Sequence, residues 1–159
     1  MRVRGVDRLA AWGGTSLYDV VIKSFAQVSK VPGRHAVVIF TDGEDRSSLS
    51  SLDAVEARIK KSDATLYTVG LGRGAKVAAF KAVLERLADA TGGRAIFTDR
   101  AEDLDDPFGE IMEELSNQYL IAYEPTNTKH DGTWRRITVE TTNKRYKVRA
   151  RQGYTAESK

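Results

Sequence analysis

A chain of 159 residues that is 41% hydrophobic and 30% charged can bury the core of a single domain. Its longest apolar runs are far too short to span a bilayer, and it has no cysteine, which excludes disulfides, thiolate nucleophiles and Cys-based zinc sites. The net charge is +3, and residues 1–12 carry Arg2 and Arg4 without the apolar stretch of a signal peptide.

Helices and strands are predicted in alternation. Leu17, Val20, Val21, Phe25 and Val28 form a stripe that predicts a helix over 17–29, stopped by Pro32-Gly33. The unbroken apolar run Ala36–Phe40 predicts a strand buried on both faces, as in a parallel sheet covered by helices. Leu52, Val55 and Ile59 share one face of a second helix over 50–62, and a second strand follows over 65–69. A long helix over about 77–90 is expected to end at Gly92-Gly93, which supply a left-handed C-cap. After a third strand over 94–97, the acidic run Glu102–Asp106 and Pro107 open a helix to about Ser116, because acids and proline both suit a first turn. Strands joined by helices imply right-handed crossovers and a three-layer parallel arrangement.

Beyond Ser116 the pattern changes to an antiparallel meander. Strands are expected over 118–123, 134–141 and 144–151, with an Asp131-Gly132 turn between the first two. In the last, Tyr146, Val148 and Ala150 occupy the apolar face, and Lys147, Arg149 and Arg151 the basic one. Residues 129–151 hold eight Lys/Arg against Asp131 and Glu140. That face lacks the interleaved aromatics of an RNA-binding module, so a solvated sheet face is expected and no nucleic-acid partner. The division expected is 1–124 for the α/β unit, 125–154 for the meander and 155–159 for a polar tail.

Chemistry concentrates where the first strand ends, at Thr41, Asp42, Gly43, Glu44 and Asp45. Open α/β sheets bind ligands beyond the carboxyl ends of their strands. A hydroxyl and carboxylates there suit a hard divalent cation; Glu44 and Asp45 equally suit a cap on the following helix. Other motifs carry less. Gly70-x-Gly72-x-Gly74 lacks the third glycine of a dinucleotide loop and reads as a turn, with Asp99 only near a ribose-ligand position. No Walker sequence, Gly-x-Ser-x-Gly elbow or His-Glu-x-x-His occurs, and His35 and His130 read as structural or solvent-facing.

A second loop, Gly13-Gly14-Thr15-Ser16-Leu17-Tyr18-Asp19, precedes the strand by about one helix. The pair, Gly-Gly-Thr-x-Leu-Tyr-Asp followed by an apolar strand and Thr-Asp-Gly-Glu-Asp, resembles the von Willebrand factor type A (VWA) family. The likeness is to its bacterial branch with a C-terminal strand extension, and runs from about Gly13 to Tyr154. It implies an α/β, three-layer, Rossmann-like sheet with a C-terminal β meander. It also implies a non-catalytic interaction domain that binds Mg2+ or Mn2+ at a metal-ion-dependent adhesion site and holds an acidic group of a protein partner. By motif position, Thr15 and Asp42 are the metal ligands, and Ser16, Glu44 and Asp45 stand behind them. Many bacterial members are exported, so the resemblance leans towards an extracytoplasmic address.

One family motif is missing. No Asp-x-Ser-x-Ser occurs, Asp7 is the only acid before Thr15, and twelve residues precede Gly13. The resemblance therefore implies a truncated domain, with the opening strand and its neighbours absent and the metal site incomplete. Thr15 and Asp42 alone give one hydroxyl and one carboxylate, so binding is expected to be weak or absent. Loss of the opening strand would also expose the edge of the Ala36–Phe40 strand. A homo-oligomer, strand exchange or poor solubility is then expected, unless residues 1–12 or the meander cover that edge. Two alternatives stand beside this reading. One is a metal-independent scaffold fragment. The other is a Mg2+-dependent phosphoryl-transfer hydrolase using Asp42, against which the Asp-x-Asp of haloacid-dehalogenase-like enzymes is absent: Phe40 and Glu44 occupy the positions two away.

Overall fold

The computed structural model describes residues 13–156, so expectations placed on residues 1–12, including Asp7, and on the last three tail residues lie outside it. Helix α1 (Leu17–Val28), strand β1 (Ala36–Thr41), helix α2 (Leu52–Lys60), strand β2 (Thr65–Leu71), helix α3 (Ala78–Ala90), strand β3 (Ala95–Thr98) and helix α4 (Asp105–Ser116) alternate as predicted, with 3-10 turns at Gly74–Lys76 and Ala101–Leu104. The three strands form one parallel sheet in the order β1-β2-β3. Ala36 pairs with Thr65 through to Thr41 with Gly70, and Thr68 with Ala95 through to Leu71 with Thr98.

Strand alternation sorts the side chains into two packed faces. Val37, Ile39 and Leu66 meet Val21 and Phe25 of α1, Val55 and Ile59 of α2, and Phe80, Leu84 and Leu87 of α3. On the opposite face, Ala36, Val38, Tyr67, Val69 and Ile96 pack with Ile111 and Leu115 of α4. The expected α/β fold, a parallel sheet flanked by helices, is present. No helix among the described residues is long and apolar enough to cross a membrane.

Burial of the strands differs from the sequence expectation. The strand buried on both faces is β2, in which Leu66, Tyr67, Thr68 and Val69 are all fully buried. Among the described residues β1 is an edge strand: Val37, Ile39 and Thr41 are buried against the helices, while Phe40 on the other face is 45% exposed. On that face the α4 cluster partly covers Ala36 and Val38 but leaves Phe40 open, so among the described residues the second cover of this apolar run is incomplete.

The C-terminal antiparallel sheet is also smaller than expected. β4 (Trp134–Arg136) pairs with β5 (Gly153–Thr155), and the ladder continues through the Ile137 N–H to the Gln152 carbonyl at 2.9 Å. The strands expected over 118–123 and 144–151 do not form, and the one over 134–141 stops at Arg136. Local turn chemistry interrupts the last of them: the Asn143 side chain accepts from the Arg145 N–H at 3.1 Å, and its carbonyl from the Tyr146 N–H at 3.1 Å. Tyr146, expected on an apolar face, is 68% exposed. The Asp131-Gly132 turn forms as predicted, with Gly132 at φ +70° and Asp131 accepting from the Thr133 N–H at 3.1 Å.

Several basic residues of this region are used internally. Arg135 donates to the carbonyls of Asn127 and Lys129, Arg151 pairs with Asp63, and Arg149 approaches Glu114 at 3.4 Å. Glu114 also accepts from the Tyr67 hydroxyl at 3.2 Å. Burial, and after it the Glu114 charge, push the Tyr67 phenol up to about 12, so it remains a donor. The arm is seated on the end of α3, where Gly92 (φ +80°) forms the expected left-handed cap; a Cβ there would lie 2.6 Å from the Arg151 nitrogen.

Candidate functional site

Strand β1 delivers its last residues to the carboxyl edge of the sheet. The Thr41 hydroxyl folds back to donate to the Gly43 carbonyl at 3.0 Å, a tight turn that leaves the Asp42 side chain exposed. From the other side, the loop before α1 lies against the same turn. The Thr15 carbonyl accepts from the N–H groups of Arg46 and Ser47, at 2.9 and 3.0 Å. The Thr15 hydroxyl lies 3.6 Å from the position a Cβ on Gly43 would take. Two loops separated by a whole helix in sequence therefore meet, with Thr15 against the residue that follows Asp42.

Asp45 caps a helix other than the following one. Its carboxylate accepts from the Tyr18 N–H at 2.9 Å and the Ser48 N–H at 3.2 Å, and from the Ser48 hydroxyl. It caps α1, the helix before it, where a negative charge also suits the helix dipole. Ser16, at the N-cap position, makes no side-chain cap bond. The following helix is capped by Ser51, which accepts from the Ala54 N–H at 3.2 Å, so neither Glu44 nor Asp45 caps α2.

The clasp is reciprocal. Ser48 Oγ accepts from the Asp19 N–H at 3.0 Å, and the Asp19 carboxylate accepts from the N–H groups of Leu49 at 3.0 Å and Ser50 at 3.1 Å. The first turn of α1 and the loop after β1 thus cap one another. Asp19 and Ser48 received no role from the sequence. Their only signal was an acid in a first turn facing a run of serines about thirty residues on, and nothing local pairs the two.

Hydrogen bonds from the Ser50 side chain and then the Leu49 N–H hold Asp19 below the usual carboxylate range. The clasp's stabilisation is therefore fully present above the ordinary Asp pKa near ~3.9 and is lost as pH falls through the lower folded value. Asp19→Asn is expected to flatten the acid limb of the stability profile below about pH 4, measured by urea unfolding at stepped pH. An acid limb as steep as the parent's would show that the clasp does not form.

Electrostatics around the turn are negative. Burial, then the charges of Asp45 and Glu44, push the Tyr18 phenol up. Among the described residues, Asp42 and Glu44 make no ion pair. Leu17, Ala79, Phe80 and Val83 floor a shallow cleft of about 220 Å³ that Glu44 and Asp45 rim. Gly74, which opens the turn after β2, packs on the Asp42 carbonyl from below: a Cβ there would sit 2.4 Å from that oxygen. Packing thus explains two of these glycines, Gly74 and Gly70, which lies within β2 under the Phe97 ring, while Gly72 has open space around it and serves the turn by its φ of +59°. Asp99 is held by Lys76 at 3.0 Å. His35 lies at the amino end of β1, where its carbonyl accepts from the Thr65 N–H at 3.0 Å, at the far end of the sheet from Asp42.

As a cation site the donor set is right in kind and short in number. Among the described residues, no three His, Cys, Asp or Glu side chains gather at one point. Asp45 is taken up by protein donors, which leaves the Thr15 hydroxyl and the Asp42 carboxylate, with Glu44 beside them. Mg2+ accepts one or two carboxylates and keeps several waters, so these oxygens suit it without enclosing it.

No family model matches the chain, and no curated protein matches it. Among solved structures, it is similar to an uncharacterized membrane spanning protein from Vibrio fischeri, at 20% identity and a TM-score of 0.44. The match covers 60% of this chain and 52% of that one, so the chain spans about half its length.

Proposed function

We propose that this chain is a VWA-type interaction domain in which Thr15 and Asp42 hold Mg2+ or Mn2+ weakly and offer it to an acidic side chain of a protein partner. One observation supports the reading above the rest: the Thr15 and Asp42 loops, far apart in sequence, are fastened together beyond the carboxyl end of β1. Asp42 stands exposed there without an ion pair among the described residues. A hydroxyl and a free carboxylate present a hard cation with most of its coordination sphere open, which suits bridging to a second carboxylate better than permanent storage. Glu44 adds negative potential at the rim, and Asp45 fixes the geometry by holding α1.

The test is thermal unfolding in Mg2+ or Mn2+ against EDTA, with Asp42→Ala in parallel. A cation at a hundredfold its dissociation constant adds about 2.7 kcal/mol, a rise of several degrees for a domain of this size. With two protein ligands, tens of millimolar cation are expected to give a smaller rise, which Asp42→Ala removes. No cation-specific rise, or one that survives Asp42→Ala, would overturn the assignment of Asp42.

A further inference from the structure

The C-terminal arm carries a basic loop between its ladder and its seat on α3. Residues 138–149 are exposed throughout. They hold Lys144, Arg145, Lys147 and Arg149 against a single acid, Glu140. Arg149 approaches Glu114, but Lys144, Arg145 and Lys147 make no ion pair among the described residues.

The tip of the loop is closed by its own backbone. Thr141 Oγ1 donates to the Asn143 carbonyl at 3.0 Å, and the same carbonyl accepts from the Tyr146 N–H at 3.1 Å. The Asn143 side chain accepts from the Arg145 N–H at 3.1 Å. Asn143 thus makes the turn, and the side chains of residues 144–147 take no part in it. Tyr146, 68% exposed, stands between Arg145 and Lys147, and the same loop leaves Val139 and Val148 partly open. Alternation in the sequence places Tyr146 on a face apart from the cations; the turn exposes them together.

Both ends of the loop start from the amino end of the parallel sheet. The Gln152 N–H donates to the Ala90 carbonyl at 3.5 Å, Arg151 pairs with Asp63, and the Ile137 N–H donates to the Gln152 carbonyl. Arg34 before β1 and Lys61 after α2 lie at this end too, exposed and without an ion pair among the described residues. Asp42 and Glu44 lie at the opposite end of the sheet.

We propose that this loop docks the chain on an anionic lipid bilayer, with Lys144, Arg145 and Lys147 against headgroup phosphates and Tyr146 at the headgroup–acyl boundary. Charge complementarity supplies the attraction. The tyrosine ring has an apolar body and a polar tip, which suits that boundary. Val139 and Val148 also gain from it, whereas aliphatic side chains gain nothing from phosphates alone. One aromatic offers one stacking platform, where single-strand nucleic-acid binders stack successive bases on several, so a bilayer is favoured over nucleic acid. The chain's other segments do not complement the loop: residues 1–12 carry Arg2, Arg4 and Arg8 against Asp7, and residues 157–159 carry Glu157 against Lys159. Neither Thr15 nor Asp42 takes part, and a docked chain would keep the Asp42 end away from the lipid.

The test is co-sedimentation of the full chain with vesicles of phosphatidylcholine, alone or with about 30% phosphatidylserine, a surface that favours each nearby Lys or Arg about fivefold. Binding to the mixed vesicles is expected to exceed binding to the neutral ones about a hundredfold, and to be lost at about 0.5 M salt. Lys144→Gln with Arg145→Gln and Lys147→Gln should abolish it with unchanged circular dichroism, because these side chains already face water. Lys23→Gln with Arg46→Gln and Arg73→Gln removes the same charge elsewhere and should keep most of the binding. Tyr146→Ser should weaken binding severalfold without altering its salt dependence, because the ring adds apolar contact and no charge. Equal binding to the two vesicles, binding that survives the loop triple, or an equal loss in the other triple would each overturn the proposal. So would a Tyr146→Ser variant that binds like the parent, or capture of a single-stranded oligonucleotide with no vesicle binding, which would assign the loop to nucleic acid.

Discussion

Phe80→Ala is expected to lower the unfolding free energy by about 3–5 kcal/mol, the range for truncating a buried aromatic ring. Phe80 is 2% exposed in the first turn of α3 and belongs to the main cluster with Leu17, Ile39 and Leu84. Its ring also lies beneath Gly74, so it supports the turn that bears on the Asp42 carbonyl, and it floors the cleft beside Glu44 and Asp45. Removing it takes away transfer energy and leaves a void at a junction of helix, turn and loop. The loss should appear as a lower urea midpoint with an unchanged slope. A loss below about 1 kcal/mol would mean that the neighbouring side chains collapse into the space and that Phe80 is not the support described.

Gly74→Ala is expected to cost about 1–3 kcal/mol, the usual penalty for forcing atoms into a packed region. The new methyl would sit 2.4 Å from the Asp42 oxygen and 2.9 Å from its carbonyl carbon. Those are backbone atoms at the end of β1, so relief requires the loop itself to move. The substitution should therefore weaken any cation response while leaving Thr15 and Asp42 chemically intact. Unfolding curves give the stability change, and the Mg2+-dependent shift gives the second. If stability and cation response both match the parent, the Gly74 contact with the Asp42 carbonyl is not a constraint.

The helix–strand alternation up to Ser116 could be read from the sequence because each element carries its own signal. The stripe from Leu17 to Val28, the shared face of Leu52, Val55 and Ile59, and the Gly92 cap are local features, and the structure follows them within a few residues. β2 runs on to Leu71 because Gly70 lies in the strand; a side chain there would meet the Phe97 ring at 2.7 Å, a contact invisible in sequence. The C-terminal strands were less legible for a physical reason. Alternation shows only that a segment can pair, and residues 118–123 and 144–151 have the pattern without a ladder. At the candidate site, the sequence singled out Thr15 and Asp42 by motif. The role of Asp45 was hidden, because its partner Tyr18 lies far upstream and the clasp exists only once β1 is beside α1.

Residues 42–51 look like ten positions of disposable surface, and Leu49 at 98% exposed looks the most disposable of all. Yet the backbone N–H groups of Arg46, Ser47, Ser48, Leu49 and Ser50 are all spoken for: Thr15 takes the first two, Asp45 the third and Asp19 the last two. One inserted residue would put every later group out of step with its acceptor. This loop should therefore tolerate changes of side chain far better than changes of length, and its length should be held as firmly as that of a strand. A graft, tag or circular permutation belongs elsewhere on the molecule.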